Sequence, residues 1–185
     1  MKNSGLITKT INTPTTSSAS GVWSLQEQYE AETNNAWPNT GYRYIKWHIT
    51  DIENISASMT QISELYLKSN GSNISWGSAT VTNPNGSNPS SQGPEKLIDG
   101  IETNKALDFN VDVNNGSIFI IDAGYGNDFD FDSYYFVTGN DYPDRDPITW
   151  TIEGSNDGTN YTVLDTVTNA TITSSRRANT QTFTL

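Results

Sequence analysis

Hydrophobic and polar residues alternate from Tyr42 to Thr50. Arg43, Ile45, Trp47 and Ile49 fall on one side; Tyr42, Tyr44, Lys46, His48 and Thr50 fall on the other. A period of two predicts a β-strand with Trp47 in the core. The pattern returns over 61–68, where Ser63, Leu65 and Leu67 share one side and Ile62, Glu64 and Tyr66 the other. A carboxylate set between two apolar neighbours needs a partner if that side is covered. Asn70-Gly71, just beyond, marks a tight turn. Further strands are predicted over Ser117–Asp122, 134–138, 148–153, 161–167 and 181–185, with Trp150 alternating between Ile148 and Ile152 as a core residue. Asn156-Asp-Gly158 reads as the turn between two of them. Short strands at this spacing, separated by Gly- and Pro-punctuated loops, predict an all-β sandwich that carries its chemistry on loops.

The first 38 residues follow no such period. Leu6, Ile7 and Ile11 are too few to offset the entropy of ordering the stretch 1–20 by itself. With Trp23 and Trp37 they are candidates for docking on a partner; packing on the chain's own sandwich is the alternative. Ser24-Leu-Gln-Glu27 is a capping box and predicts a short helix over about 25–34, ending before Trp37-Pro38. The chain therefore divides into an extended arm with one short helix, 1–38, and a sandwich, 39–185.

A length of 185 residues suits one domain with a substantial core. The formal charge of −11 argues against nucleic acid and against anionic membrane surfaces. It fits cation binding or plain solubility. No apolar run approaches membrane-spanning length, so membrane insertion is not expected. The absence of cysteine excludes disulfides and thiolate metal sites. Polar residues follow Met1, so no secretory signal is expected.

Tyr42-Arg-Tyr-Ile-Lys-Trp47, Gln61-Ile-Ser-Glu-Leu65, Leu97-Ile-Asp-Gly100, Gly139-Asn-Asp-Tyr-Pro-Asp-Arg-Asp-Pro147 and Gly154-Ser-Asn-Asp-Gly158 together resemble the discoidin family. This is the coagulation-factor type C domain of the galactose-binding-like superfamily, and the resemblance covers about residues 42–184. It implies a jelly-roll-like β-sandwich whose loops bind glycans, lipids or proteins, often with a structural calcium. Ala106 departs from the tryptophan common at that position in the family. Thr13-Pro-Thr-Thr-Ser-Ser-Ala-Ser-Gly-Val-Trp-Ser-Leu-Gln-Glu-Gln-Tyr-Glu-Ala31, with Trp37-Pro38, resembles a segment of tailed-bacteriophage structural proteins. That second resemblance implies a virion setting.

Calcium takes six to eight oxygen ligands. Asp99, the Thr103 hydroxyl and the carbonyls of the turn between them would supply one arc. The family resemblance implies that an Asp-Gly loop and an acidic residue of a neighbouring strand share the ion, roles that map onto Asp99 and Glu64. Ile101-Glu102 departs from the small polar pair usual there, which weakens the match of Thr103. The alternative is an Asp-Gly turn with Glu64 paired to a lysine.

Arg145 stands among Asp141, Asp144 and Asp146. It either offers its fork to a glycan or staples its own loop to one of these acids, and the resemblance favours the staple. Exposed aromatics are the usual sugar platform, and Trp76, Tyr125 and Tyr142 are the candidates; Trp76 is equally placed to sit at the core edge. With Asp141 and Arg145 they form the predicted ligand site. His48 is the single histidine, and no nucleophile elbow or phosphate-binding glycine loop is present, so no enzyme is expected. The expected protein is a non-enzymatic component of the exposed virion surface, docked through its arm on other virion proteins or on further copies. The alternative is an adhesion module for a cell-surface glycan.

Overall fold

The computed structural model describes residues 41–84, 86–111 and 116–185. The expected helix and the docking candidates Leu6, Ile7, Ile11, Trp23 and Trp37 lie outside the described residues. Among the described residues, ten strands follow in chain order: β1 (Tyr44–Ile52), β2 (Thr60–Ser69), β3 (Ser72–Asn73), β4 (Thr80–Thr82), β5 (Ala106–Asp108), β6 (Ser117–Asp122), β7 (Ser133–Thr138), β8 (Pro147–Ser155), β9 (Thr162–Val167) and β10 (Phe183–Thr184). They form two antiparallel sheets. One has the order β4-β6-β1-β8-β9; the other runs β10-β7-β2-β3, with β5 also paired to β2. The fold is an all-β sandwich.

Alternation along the strands builds the core. Ile45, Trp47 and Ile49 of β1, Phe119 and Ile121 of β6, and Trp150 and Ile152 of β8 are buried from one sheet. Leu65 and Leu67 of β2 and Tyr134 and Phe136 of β7 meet them from the other. The ring of Trp47 lies 5.4 Å from Phe136 and 6.1 Å from Trp150, a tilted and edge-on cluster that joins the sheets. Each fully buried large side chain contributes on the order of 1.5–3 kcal/mol. Arg43, expected on the core side, precedes β1 and pairs instead with Asp122, at 2.8 and 3.1 Å.

β2 is covered on both faces over Thr60–Leu65. Its outer side is closed by the segment that enters through the short 3-10 turn Pro94–Leu97, whose Leu97 is buried. Glu64 is thereby sealed between Ile62 and that segment. Ala106, where the resemblance implies tryptophan, is a buried residue of β5 opposite Ile62. Asn70 and Gly71 make the β2–β3 turn with φ of 50° and 80°, as their pairing predicts.

The register gives the sandwich two poles. Tyr44, at the start of β1, sits opposite Asp122 and Ser155, so the loops 123–132 and 156–161 share its pole. Ile49 and Ile52 sit opposite Ser117 and Pro147, so the loops 53–59 and 139–146 share the other.

Candidate functional site

The loop 139–146 is held from three sides by residues distant in sequence. Lys105 Nζ donates to Asp141 Oδ1 and to Gln61 Oε1, both at 2.8 Å. The Gln61 amide in turn donates to the carbonyls of Asp141 and Tyr142. Gly139 lies flat on Gln61: a Cβ there would come within 2.7 Å of its Cδ. Arg176 closes the second side, with Nη1 2.9 Å from Asp146 Oδ1 and Nη2 bonded to Asp146 Oδ2 and, at 3.2 Å, to the Thr173 carbonyl. On the third side the N–H groups of Glu53 and Asn54 donate to the carbonyls of Asp146 and Asp144, both at 2.9 Å, and the Thr60 hydroxyl donates to the Arg145 carbonyl at 3.1 Å.

Electrostatics follow this wiring. Burial acts to raise the Asp141 carboxyl, but the Lys105 hydrogen bond and charge outweigh it and hold the group below its ordinary range. Burial holds Asp146 above its ordinary range even with Arg176 beside it. Of the two roles expected for Arg145, the staple has no hydrogen bond: Lys105 and Arg176 pair with Asp141 and Asp146, Asn54 Nδ2 lies 3.4 Å from Asp144 Oδ2, and Arg145 adds only its charge to that of Lys105 at Asp141. Arg145 instead lies over the Tyr142 ring, 4.1 Å from its centroid.

Tyr142 is the outlier of the loop. It is 60% exposed and has φ 38°, a left-handed conformation that a side chain rarely adopts. Pro143 follows and opens the 3-10 turn Pro143–Arg145, which narrows the choices of Tyr142 further. Such a conformation costs about 1–3 kcal/mol and persists because the surrounding bonds over-determine it.

The other predicted ligand residues do not join this surface. Tyr125 is 78% exposed between Gly124 and Gly126, but it follows β6 at the opposite pole. Trp76 sits at the core edge, packed edge-on to Phe129 at 5.2 Å with its indole N–H on the Leu65 carbonyl at 3.1 Å. Asp141, Tyr142 and Arg145 are the predicted set that the fold keeps together. Gln61, Lys105 and Arg176 are not among the predicted site residues; they lie 30–80 residues from their partners and carry no local signal.

The expected metal residues form a second locus. Glu64 Oε2 accepts the Gly100 N–H at 3.0 Å, while the buried Oε1 has no hydrogen-bond partner. Burial, and then the nearby Asp99 charge, push the Glu64 carboxyl up to about 8. Asp99 is partly committed: Oδ1 accepts the Ile101 N–H at 2.9 Å, Oδ2 accepts Asn104 Nδ2 at 2.7 Å, and Lys96 Nζ is 3.5 Å from Oδ2. The Thr103 carbonyl accepts from Arg177 at 3.3 Å. The orphaned Glu64 oxygen and the mutual repulsion of Glu64 and Asp99 fit a cation. The lysine pairs with Asp99, the other carboxylate of the locus.

No protein-family model, curated protein or solved structure matches this chain. No described helix is long and apolar enough to cross a membrane.

Proposed function

We propose that this chain is a non-enzymatic saccharide-binding module, a jelly-roll-like sandwich of the galactose-binding-like kind, whose recognition surface is the loop 139–146. The observation that carries this reading is Tyr142. A solvent-facing ring in a left-handed conformation, on a loop pinned by two ion pairs and an amide, is held at a standing cost to the fold. Apolar packing does not account for that cost, because the ring is exposed. A pre-positioned aromatic face that loses little entropy on binding does account for it. Asp141 and Asp146 of the same loop are tied up in ion pairs, which favours binding over acid–base chemistry.

The setting we infer is the exposed surface of a phage virion, on the resemblance of residues 12–38, with the arm docked on other virion proteins or on further copies of the chain. A structural calcium belongs to the same reading. Glu64 and Asp99 would hold it, with turn carbonyls and water completing the oxygen shell.

The test is a glycan-array screen of the full chain beside Tyr142→Ala. Selective binding lost in the variant, with unchanged circular dichroism, supports the module. Binding that survives Tyr142→Ala, or no binding by the native chain, favours a sandwich that decorates or cements the particle.

A further inference from the structure

Resting on the saccharide reading, we propose that the ligand is acidic: a pyranose that stacks on Tyr142 and presents a carboxylate or a sulfate ester to Arg145. The guanidinium covers one face of the Tyr142 ring at 4.1 Å. Among the described residues it donates no side-chain hydrogen bond, and its charge acts on Asp141, helping to hold that carboxyl low, without a salt-bridge contact. Each of the other described arginines places at least one side-chain donor on the protein. Arg43 binds Asp122, Arg176 binds Asp146, and Arg177 donates to the Thr103 carbonyl at 3.3 Å. Arg145 alone among them donates no side-chain hydrogen bond within the described residues, although three aspartates stand within four residues of it in sequence.

Those aspartates have been claimed by residues from elsewhere in the fold. Lys105 pairs with Asp141 and Arg176 with Asp146, while the exposed Asp144 has Asn54 Nδ2 at 3.4 Å. The fold thus gives Asp141 and Asp146 other cations and leaves the fork of Arg145 without a hydrogen-bond partner, oriented by a ring. A guanidinium is permanently charged and carries a fork of donors that matches a carboxylate or sulfate. A sugar stacked on Tyr142 would displace water from that fork. With a neutral sugar the charge would lose solvation without gaining a counter-charge; with an acidic one it gains a two-point partner. Arg177 flanks the same loop, its N–H on the Gly139 carbonyl at 3.1 Å, and offers a second cation to a longer acidic chain.

The overall charge of −11 sharpens the test. Screening confines charge effects to about 8 Å at physiological salt, so a net acidic protein has no general affinity for polyanions. Retention by one would report this site.

The experiment is affinity electrophoresis of the full chain in gels containing polygalacturonate, a sulfated galactan or a neutral galactan at fixed ionic strength. Retardation by one or both acidic polymers and not by the neutral one is expected, and the pattern tells carboxylate from sulfate. Arg145→Ala should weaken it by about tenfold or more, as loss of a charge-assisted bond implies, with Arg145→Lys between the two. Equal retardation by the neutral polymer, or none by any polymer, overturns the acidic ligand. Retardation abolished by Tyr142→Ala but untouched by Arg145→Ala overturns it too, while leaving the saccharide reading in place.

Discussion

The phenol oxygen of Tyr134 accepts the indole N–H of Trp150 at 2.7 Å, a hydrogen bond across the core from one sheet to the other. The same hydroxyl donates to Asp165 Oδ2 at 2.6 Å, so β7, β8 and β9 share one polar link inside an aromatic cluster. Burial and the Asp165 bond push the Tyr134 hydroxyl far above its ordinary range, so it stays protonated as this donor requires. Tyr134→Phe removes one atom, leaves little cavity, and orphans the Trp150 N–H. Urea unfolding should show a loss of about 1–3 kcal/mol. A smaller effect would mean that water replaces the hydroxyl.

Glu64 should make stability fall with rising pH. Its carboxyl titrates at about 8 in the folded chain against an ordinary 4.5. Between those values the folded state keeps a proton that the unfolded state has released, so stability is highest below the unfolded value and is lost as pH rises to about 8. Glu64→Gln should flatten that slope in thermal melts. Calcium binding needs the ionised carboxylate, so added calcium should restore stability most strongly near the upper end, and a chelator should reverse it. Melts indifferent to both would sink the cation site.

Tyr142→Gly should separate stability from function. Glycine adopts a φ of 38° without strain, so the variant should match or exceed the native chain by up to about 1 kcal/mol while losing saccharide binding. A clear loss of stability would show that the ring supports the fold rather than a ligand.

Arg176→Met would leave the buried Asp146 without its counter-charge. Breaking one side of a buried pair costs about 3–5 kcal/mol, and Asp146→Asn in the same chain should recover part of it. Equilibrium denaturation of the single and double variants measures this, and additive losses would remove the pair as a unit.

Much of the sandwich was legible in the chain. The stretches around Trp47, Leu65 and Trp150 alternate, those around Phe119 and Phe136 are short apolar runs, and each is a strand with those residues inside. β3, β4 and β5 were not legible. They are two or three residues long, and Ser72–Asn73 and Thr80–Thr82 are mostly polar, so no period can show. The face of β2 that carries Glu64 looked half-apolar for a reason the sequence does not state: a segment 30 residues on folds over it.

At the candidate site, local sequence determined the parts and tertiary structure determined their roles. Pro143, Pro147 and the aspartates of 139–146 already specified a stiff acidic loop with one arginine and one tyrosine. Which cation neutralised which acid was decided by strand register, because β2 and the turn before β5 bring Gln61 and Lys105 to the loop and the segment after β9 brings Arg176. Register likewise sent Tyr125 to the far pole and Trp76 to the core edge. Periodicity is a property of neighbours along the chain and is readable there. Charge pairing depends on distances that exist after the sheets have formed, and that is why the acids beside Arg145 do not reveal which cations they bond.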